Sequence, residues 1–255
     1  MIRTRRHLFW YELRNVLGNW YTLVFGMAFP VLMAIVISQT ALQDVPEAFK
    51  STAITGVVLG FAQLIPMAGI FLGHSAIYAK ELEDKVPLRM QLFGFSQRSI
   101  LWAKLQAQLV FQTLALLFHF GLLYPILGYD RPSPAGLIIY LLVLYSLATI
   151  YFVLAHGIAN FFRRFGPAYG LSMLIYFTFM LLGGMMGVTS AMLPKPVRAL
   201  ADLLPPTHLS KPAITDLWIG SAYNYSMLGQ AMLFFGALSL LVLFGSFIYR
   251  RNRAY

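Results

Sequence analysis

Stretches without a single charged side chain dominate the sequence. Asp, Glu, Lys and Arg are absent from six windows of 25 to 33 residues: 15–43, 51–79, 105–129, 132–162, 165–194 and 217–249. A helix needs about 20 mostly apolar residues to cross the hydrocarbon core of a bilayer. We therefore predict six membrane-spanning helices, at about 20–41, 53–78, 99–128, 135–162, 167–192 and 225–249.

The composition favours a membrane protein over a soluble one. Hydrophobic residues make up 59% of the 255 residues and charged residues only 11%, whereas a soluble domain is about 25% charged. We expect an all-α integral membrane fold in which residues 1–255 form a single transmembrane domain. The absence of cysteine excludes disulfide bonds, a thiolate metal site and a cysteine nucleophile.

The distribution of basic residues predicts the orientation of the chain. If the amino terminus is cytoplasmic, 14 of the 19 Lys and Arg residues fall on the cytoplasmic side, together with four of the nine acids. Cytoplasmic loops of membrane proteins are enriched in Lys and Arg. We therefore expect a multi-pass protein of the inner or plasma membrane with both termini in the cytoplasm. The net charge of +10 then lies on that side, and no nucleic-acid partner is needed to explain it.

Two prolines lie inside the first two predicted spans. These are Pro30 and Pro66. A proline in a helix removes a backbone donor and clashes with the preceding turn. Both spans are therefore predicted to be kinked at these positions.

The first 19 residues are predicted to form a helix at the cytoplasmic membrane surface. Apolar residues recur at helical spacing on one face and arginines fall toward another, which is typical of an interfacial amphipathic helix. The apolar residues are Phe9, Leu13, Val16 and Leu17, and the basic residues are Arg3, Arg6 and Arg14. This helix either anchors the chain on anionic lipid or also contacts a cytoplasmic partner.

The segment Lys80–Lys104 is predicted to be the longest cytoplasmic loop. Dense mixed charge precedes Pro87, which suits a first helical turn, and Gly94, which suits a helix stop. A short helix is therefore expected at about 87–93, and Ser96 can cap the helix that follows. A simple connector needs only a few residues, so we favour a docking element for another protein over a solvated charged turn.

The segment Pro194–Trp218, on the predicted outer side, contains five prolines. Between them, Val197, Leu200 and Leu204 predict one short amphipathic helix. The segment is too broken and too charged to span the bilayer, because lipid-exposed irregular backbone is not tolerated there. It is expected to lie on the outer membrane face or to dip into it, either as an inert cap or as a gate.

The predicted spans carry no evident chemistry of their own. They contain no Asp or Glu, which transporters use to bind protons or sodium, and the chain has no P-loop and no His-Glu-x-x-His motif. We interpret His74, His119 and His156 as hydrogen-bonded packing residues. No catalytic site and no metal site is predicted, and an intramembrane serine protease is disfavoured. Any transport must therefore draw its energy from another protein.

Several motifs together give the sequence a family resemblance. They are Phe29-Pro30-Val31-Leu32-Met33 in the first span, Lys80-Glu81-Leu82-Glu83-Asp84 after the second, Ser96-Gln97-Arg98 before the third and Leu203-Leu204-Pro205-Pro206-Thr207-His208 before the last. In this pattern the whole chain resembles the membrane subunits of type 2 ATP-binding-cassette (ABC) exporters, the permeases of the drug and polysaccharide export class. It departs from the family in having Lys85-Val86-Pro87-Leu88 where Gly-Thr-Leu often follows the acidic pair.

The resemblance implies a partner that supplies the energy. Such permeases work as a pair of membrane subunits, here expected as a homodimer, with two separate cytoplasmic ATPases that bind ATP and Mg. No cofactor is expected in this chain itself. Closure of the ATPases is transmitted through the charged loop and the amino-terminal helix. The residues expected to dock the ATPase or couple to it are Lys80, Glu81, Glu83, Asp84, Lys85, Leu88, Arg89, Arg6, Glu12 and Arg14.

The resemblance also implies where the transported compound passes. In the family the path lies between the two membrane subunits and is lined partly by spans one, two and five. The expected lining residues are Phe25, Phe29, Gln39, Gln63, Met180, Met185 and Met186. Because this path is apolar, aromatic and rich in Met, we expect ATP-driven export of an amphipathic or hydrophobic compound. The alternatives are a lipid-linked glycan exporter and a non-transporting membrane anchor or sensor.

Overall fold

The structure, a computed structural model, describes residues 2–186 and 192–251, with side chains from residue 6 onward at the amino terminus. The described residues fold into helices joined by short connections, and no strand occurs among them. Six helical segments are long and apolar enough to cross a membrane. The expected all-α integral membrane fold is therefore confirmed.

The six membrane-spanning segments lie close to the predicted windows. Spans one, three, four and six begin and end within two residues of the prediction. The observed bounds are Trp20–Thr40, Glu47–Glu83, Gln97–Leu127, Pro134–Phe162, Phe165–Leu182 and Tyr225–Arg251. The individual helices are α1 (Ile2–Leu17), α2 (Trp20–Leu23), α3 (Phe29–Thr40), α4 (Glu47–Ala62), α5 (Gly73–Glu83), α6 (Val86–Leu92), α7 (Gln97–Leu127), α8 (Pro134–Phe162), α9 (Phe165–Leu182), α10 (Lys195–Ala201), α11 (Pro205–Leu209), α12 (Ile214–Ile219) and α13 (Tyr225–Arg251).

The second span is longer than the predicted window of 53–78. It begins at Glu47 and continues as helix to Glu83, because Lys, Glu and Leu are good helix formers and their mixed charge does not end a helix. The prediction of a long loop from Lys80 to Lys104 was therefore wrong. The charged residues form the last turn of α5, and α6 and α7 follow after short connections.

The fifth span is shorter than predicted, because its helix ends at Leu182 and not near 192. Gly183 and Gly184 follow, and Gly184 has a φ of +83°, a left-handed conformation that favours glycine. Hydropathy did not reveal this end, since the residues beyond the turn are still apolar. The rest of the predicted span, at 187–191, lies outside the described residues.

Both proline-containing spans have a π-helical turn. The turn Val24–Ala28 immediately precedes the segment with Pro30, and the turn Ile65–Leu72 contains Pro66. A π-turn adds a residue to the helical repeat and marks places where the regular hydrogen-bond ladder is broken. The regular helical hydrogen-bond ladder is therefore broken next to Pro30 and at Pro66, the two positions where kinks are predicted.

The two π-helical turns cross at a pair of glycines. A Cβ atom placed on Gly26 would lie 2.7 Å from the Cα atom of Gly69, and the ring of Phe111 packs against both glycines. Small residues allow the backbones of membrane helices to approach closely. The first span is therefore held against the second by direct backbone contact.

The second span is the central helix of the bundle. Its most apolar window is 78% buried, against 39% or less for the other five spans. Every residue of Ile65–Leu72 is buried, and α7, α8 and α9 pack around this part of the span. The middle of the second span is therefore the most enclosed part of the described bundle.

One end of the bundle, called the base below, carries α1, α6 and the connection at residues 163–164. Helix α1 packs along α7 with Leu8, Leu13 and Val16 buried, so protein covers much of the apolar face that was expected to meet lipid. Helix α6 has Pro87 in its first turn. It coincides with the short helix predicted at about 87–93.

The connection from α6 to α7 has the predicted start and stop signals. Gly94 follows α6 with a φ of +87°, a conformation that glycine adopts without steric cost. The Ser96 hydroxyl then accepts a hydrogen bond of 3.2 Å from the Ser99 amide at the start of α7. This is the expected amino-terminal cap.

The opposite end carries a segment, Lys195–Ile219, that we call the cap. Instead of the one helix predicted over Val197–Leu204, it contains three short helices, α10, α11 and α12. Helix α11 packs against α9 and α13, and α12 packs against α4 and α8. Trp218 is fully buried, and its indole N–H donates a 2.8 Å hydrogen bond to the Asp130 carbonyl. The cap is therefore packed onto the bundle.

Candidate functional site

A buried ion cluster joins three helices at the base. The ammonium group of Lys104 on α7 lies 2.8 Å from Glu12 Oε2 on α1 and 2.7 Å from Glu81 Oε2 on α5. The amide of Asn15 donates a 3.1 Å hydrogen bond to the other Glu81 oxygen. The three charged residues are between 1% and 8% exposed. The amino-terminal helix, the end of span two and the start of span three therefore meet at one cation.

The three charged residues stay together because separating them would cost free energy. Burial raises the pKa of the Glu12 carboxyl, and the adjacent Lys104 ammonium opposes this rise. A buried ion pair contributes little net stability, but removal of one partner leaves an uncompensated charge, which is strongly destabilising. The cluster therefore connects α1, α5 and α7 at one point.

The cluster contains two residues of the expected docking and coupling set. Glu12 and Glu81 were expected to dock the ATPase or to couple to it, and both point inward to Lys104 and are buried. Direct contact with another protein is not available to them in this arrangement. The other eight residues of the set, which are Lys80, Glu83, Asp84, Lys85, Leu88, Arg89, Arg6 and Arg14, are exposed.

The exposed residues of Glu83–Phe93 form a surface that we call the docking surface. Apolar side chains project from α6, with Leu92 and Phe93 80% and 83% exposed. Charged groups surround them, and the guanidinium of Arg89 donates a 3.2 Å hydrogen bond to the Asp84 carbonyl. Exposed apolar residues inside a charged rim are typical of a protein-protein contact.

A cavity of about 400 Å³ lies near the base between spans one, two and five. Phe25 on the first span and Tyr169 on the fifth line it, and Lys80 lies at its charged end. The Thr22 hydroxyl also faces this region; it is buried and has no hydrogen-bond partner among the described residues. The cavity is mainly apolar with a few polar groups, which suits an amphipathic molecule.

A second cavity, of about 530 Å³, lies beneath the cap. It is lined by α3, α4, the turn after span five and three cap residues. The cap residues are Ser210, Pro212 and Thr215, and Met185 lies on the opposite wall. The nearby amide of Gln63 donates a 2.7 Å hydrogen bond to the Ser210 hydroxyl. The middle of span two is therefore tied to the segment that covers this cavity.

The sequence profile of the ABC-2 type transporter family matches residues 5–215. The matched region includes the amino-terminal helix, five of the six spans, the docking surface and most of the cap. The chain belongs to the ABC-2 type transporter family. It is therefore a multi-pass membrane permease, the membrane component of an ABC transporter, and it associates with an ABC ATPase. A comparison with curated proteins returns no match.

The permease brings two of the seven expected path residues to the two cavities. Phe25 lines the cavity near the base and Met185 the cavity under the cap. The other five line neither cavity. Phe29 is half-buried, Gln39 and Met186 are exposed, and Gln63 and Met180 are buried.

The three span histidines of the permease are engaged in packing. His74 Nε2 lies 3.3 Å from His156 Nδ1, and both rings pack on Tyr78. His119 Nε2 lies 3.0 Å from the Val58 carbonyl. Within residues 2–186 and 192–251 no group of three His, Asp or Glu side chains could hold a metal ion.

Sequence reasoning missed the role of Lys104. A signal for it exists, because Lys104 lies inside α7 next to the charge-free window 105–129. A lysine at such a position needs an acidic partner. The sequence did not identify the partners, since Glu12 is 92 residues away along the chain.

Proposed function

We propose that this permease is the membrane subunit of an exporter that moves an amphipathic or hydrophobic compound outward. It works as a homodimer in the inner or plasma membrane, with the base and both termini in the cytoplasm. Two copies of a separate ATPase bind ATP and Mg and power the movement. The observation that carries this proposal is the pair of mainly apolar cavities at opposite ends of the flank formed by spans one and two.

The two cavities support an apolar path along one flank. Both are lined by the first and second spans, one near the base and one under the cap. Between them the flank presents large apolar side chains, such as Leu32 and Val36 on the first span and Phe177 on the fifth, to the outside of the chain. A second copy that covers this flank would enclose a continuous path between the subunits.

The base supports coupling to the ATPase. The docking surface follows directly after α5, whose last turn contains Glu81. A displacement of α6 by the ATPase would pull on Glu81, and Lys104 would transmit it to α1 and α7. Glu12 and Glu81 therefore support the docking surface from within, while Arg89 and Leu88 contact the partner.

The cap supports a gate at the outer end. Thr215 and Ser210 form part of the wall of the 530 Å³ cavity, and Gln63 joins Ser210 to the central span. A movement of span two that breaks this hydrogen bond would release the cap and open the cavity outward. This interpretation favours a gate over an inert cap.

A cavity-filling variant tests the path. The permease and its ATPase are reconstituted in proteoliposomes, and ATP-dependent movement of a fluorescent lipophilic dye is measured together with ATP hydrolysis. Val57→Trp fills the cavity under the cap and is expected to lower transport several-fold while the ATPase stays bound. Leu142→Trp, on the exposed face of α8, is the matched control. Normal transport by Val57→Trp would contradict the path, and bound ATPase without any transport by the wild type would favour the anchor alternative.

The homodimer has a direct test, because the chain contains no cysteine. A single cysteine at Phe25 on the exposed flank is expected to give a disulfide-linked dimer on mild oxidation in membranes. A cysteine at Leu142, which is exposed on α8, is expected to stay monomeric. Equal cross-linking at the two positions would contradict the assignment of this flank as the subunit interface.

A further inference from the structure

A small cavity at the base lies beneath α6, apart from the two cavities of the proposed path. It measures about 200 Å³ and is lined by residues of α5, α6, α7, α8 and α13. Five side chains with hydrogen-bond donors line it. They are Tyr78, Gln97, Arg98, Lys104 and His156, and none of the lining residues is acidic.

Most of these donors have no partner within the described residues. Tyr78 is only 4% exposed, yet its hydroxyl makes no hydrogen bond there. The side chains of Gln97 and Arg98 are exposed and make no hydrogen bond or ion pair among the described residues, and His156 uses only Nδ1, toward His74. Lys104 is the exception, because Glu12 and Glu81 already neutralise it. Tyr78 is therefore able to donate from the wall of the cavity to a ligand that accepts hydrogen bonds.

The position of the cavity favours an anion. Gln97 and Arg98 form the start of α7, a helix of 31 residues with no acid in its first turn. Free backbone amides and the helix dipole at such an end favour negative charge. Arg98 adds a full positive charge in a geometry that suits phosphate oxygens.

The apolar wall of the cavity favours a lipid as the source of the anion. Leu101 and Phe247 line it, and Phe247 is 40% exposed on the outside of the bundle. Trp102, next to Leu101 and one turn beyond Arg98, is 63% exposed. Exposed Trp residues are enriched at the membrane-water interface, so Arg98 lies at the level of the lipid headgroups.

We propose that this cavity binds the phosphate group of an anionic membrane phospholipid. Tyr78 and Arg98 donate to the phosphate oxygens, and Leu101 and Phe247 contact the glycerol part of the lipid. The volume of the cavity, about 200 Å³, fits a lipid headgroup, and the acyl chains remain in the bilayer. The site goes beyond the proposed function, because it does not depend on the compound transported. A lipid bound here would contact Pro87 and so link α6 to α7.

Short-chain lipids test the proposal on the purified full-length chain in neutral detergent. Dioctanoyl phosphatidylglycerol is expected to raise the thermal unfolding midpoint and to remain bound in native mass spectrometry. Arg98→Gln is expected to lower its apparent affinity by about tenfold, because a charge-assisted hydrogen bond is lost. Tyr78→Phe removes one oxygen without changing the packing, and should lower the affinity several-fold. Arg251→Gln removes a positive charge at the same end, outside the cavity, and should bind as the wild type does.

Three results would overturn the site. Equal affinities for the wild type, Tyr78→Phe and Arg98→Gln would show that the lipid binds elsewhere. An equal effect of dioctanoylglycerol, which lacks phosphate, would show that the headgroup is not recognised. A full effect of inorganic phosphate alone would identify a free anion as the ligand in place of a lipid. If Arg98→Gln does not fold, the lipid affinity of Tyr78→Phe is compared with that of the wild type.

Discussion

Lys104 and Glu81 form an ion pair with 2.7 Å between Nζ and Oε2, although they are 23 positions apart and the whole of α6 lies between them along the chain. The pair closes the loop of chain that contains the docking surface. It thereby holds both ends of that segment at a fixed distance, and Glu12 ties the amino-terminal helix to the same point. The ion cluster therefore connects α1, α5, α6 and α7 into one unit at the base of the permease.

Neutralisation of Lys104 is expected to destabilise this unit. Lys104→Met leaves the carboxylates of Glu12 and Glu81 buried without a counter-ion, at a cost of about 3–5 kcal/mol. The thermal unfolding midpoint of the purified permease should fall markedly. Addition of Glu12→Gln and Glu81→Gln to Lys104→Met removes the uncompensated charges and should recover most of the loss. An unfolding midpoint equal to the wild type for Lys104→Met alone would show that the cluster does not hold the base together.

Changes on the exposed docking surface are expected to affect assembly and not folding. Leu88→Asp combined with Arg89→Glu reverses the apolar and electrostatic character of α6, but both side chains are exposed. The amount of ATPase that co-purifies should fall several-fold at an unchanged unfolding midpoint. Lys195→Glu, an exposed charge change at the cap end, serves as the control. Undiminished co-purification of the ATPase with the double variant would place the docking contact elsewhere.

The contact between the first two spans predicts opposite effects of alanine at two glycines. Gly26→Ala places a Cβ against the backbone of Gly69, and such overpacking costs about 1–3 kcal/mol. A Cβ atom placed on Gly121, which lies within α7, would meet no atom within 4 Å, so Gly121→Ala should be neutral or slightly stabilising. Chemical unfolding of the two variants measures the difference. A Gly26→Ala protein as stable as Gly121→Ala would contradict the close crossing.

Acid is expected to loosen the cap through His208. Burial lowers the pKa of this imidazole, and its Nε2–H donates a 2.8 Å hydrogen bond to the Asp202 carbonyl. The folded cap therefore prefers the neutral ring, and its stability is present above the ordinary pKa of about 6.5. The stability is lost as the pH falls through that value, because the unfolded segment then binds more protons.

Hydrogen exchange of the cap amides measures this effect. Exchange of the amides of residues 207–209 in α11 should be faster at pH 5 than at pH 7.5, after correction for the intrinsic rates, and the difference should shrink in His208→Gln. The neighbouring pair of Lys211 and Asp202, 3.0 Å apart, remains in both proteins. If exchange depends on pH to the same extent in His208→Gln and in the wild type, the dependence arises from the pair of Lys211 and Asp202 and not from His208.

The sequence was sufficient to predict those features that depend on local pattern. Charge-free windows located six spans, and Pro87, Gly94 and Ser96 located α6 and the start of α7, because helix starts and stops are encoded within a few residues. The end of span five was missed. The turn at Gly184 depends on backbone conformation, and hydropathy does not measure conformation.

The candidate site was predicted less well, because its geometry depends on contacts between distant parts of the chain. Periodicity placed Glu12 on a helix, but did not show that its side chain faces Lys104 and not a partner protein. In the same way, the sequence did not show that Gln63 reaches Ser210, a residue 147 positions away. Such pairings follow from tertiary packing, which a single sequence specifies only indirectly.

The most direct test of the exporter assignment is ATP-driven transport by the complex itself. Permease and ATPase are reconstituted in proteoliposomes, ATP is added outside, and uptake of a fluorescent lipophilic dye is followed. In complexes whose ATPase faces the solution outside the vesicle, export away from the ATPase side appears as uptake into the vesicle. We predict ATP-dependent uptake that is abolished by mutation of the P-loop lysine of the ATPase. ATP hydrolysis by an intact complex without movement of any amphipathic or hydrophobic compound would contradict the assignment.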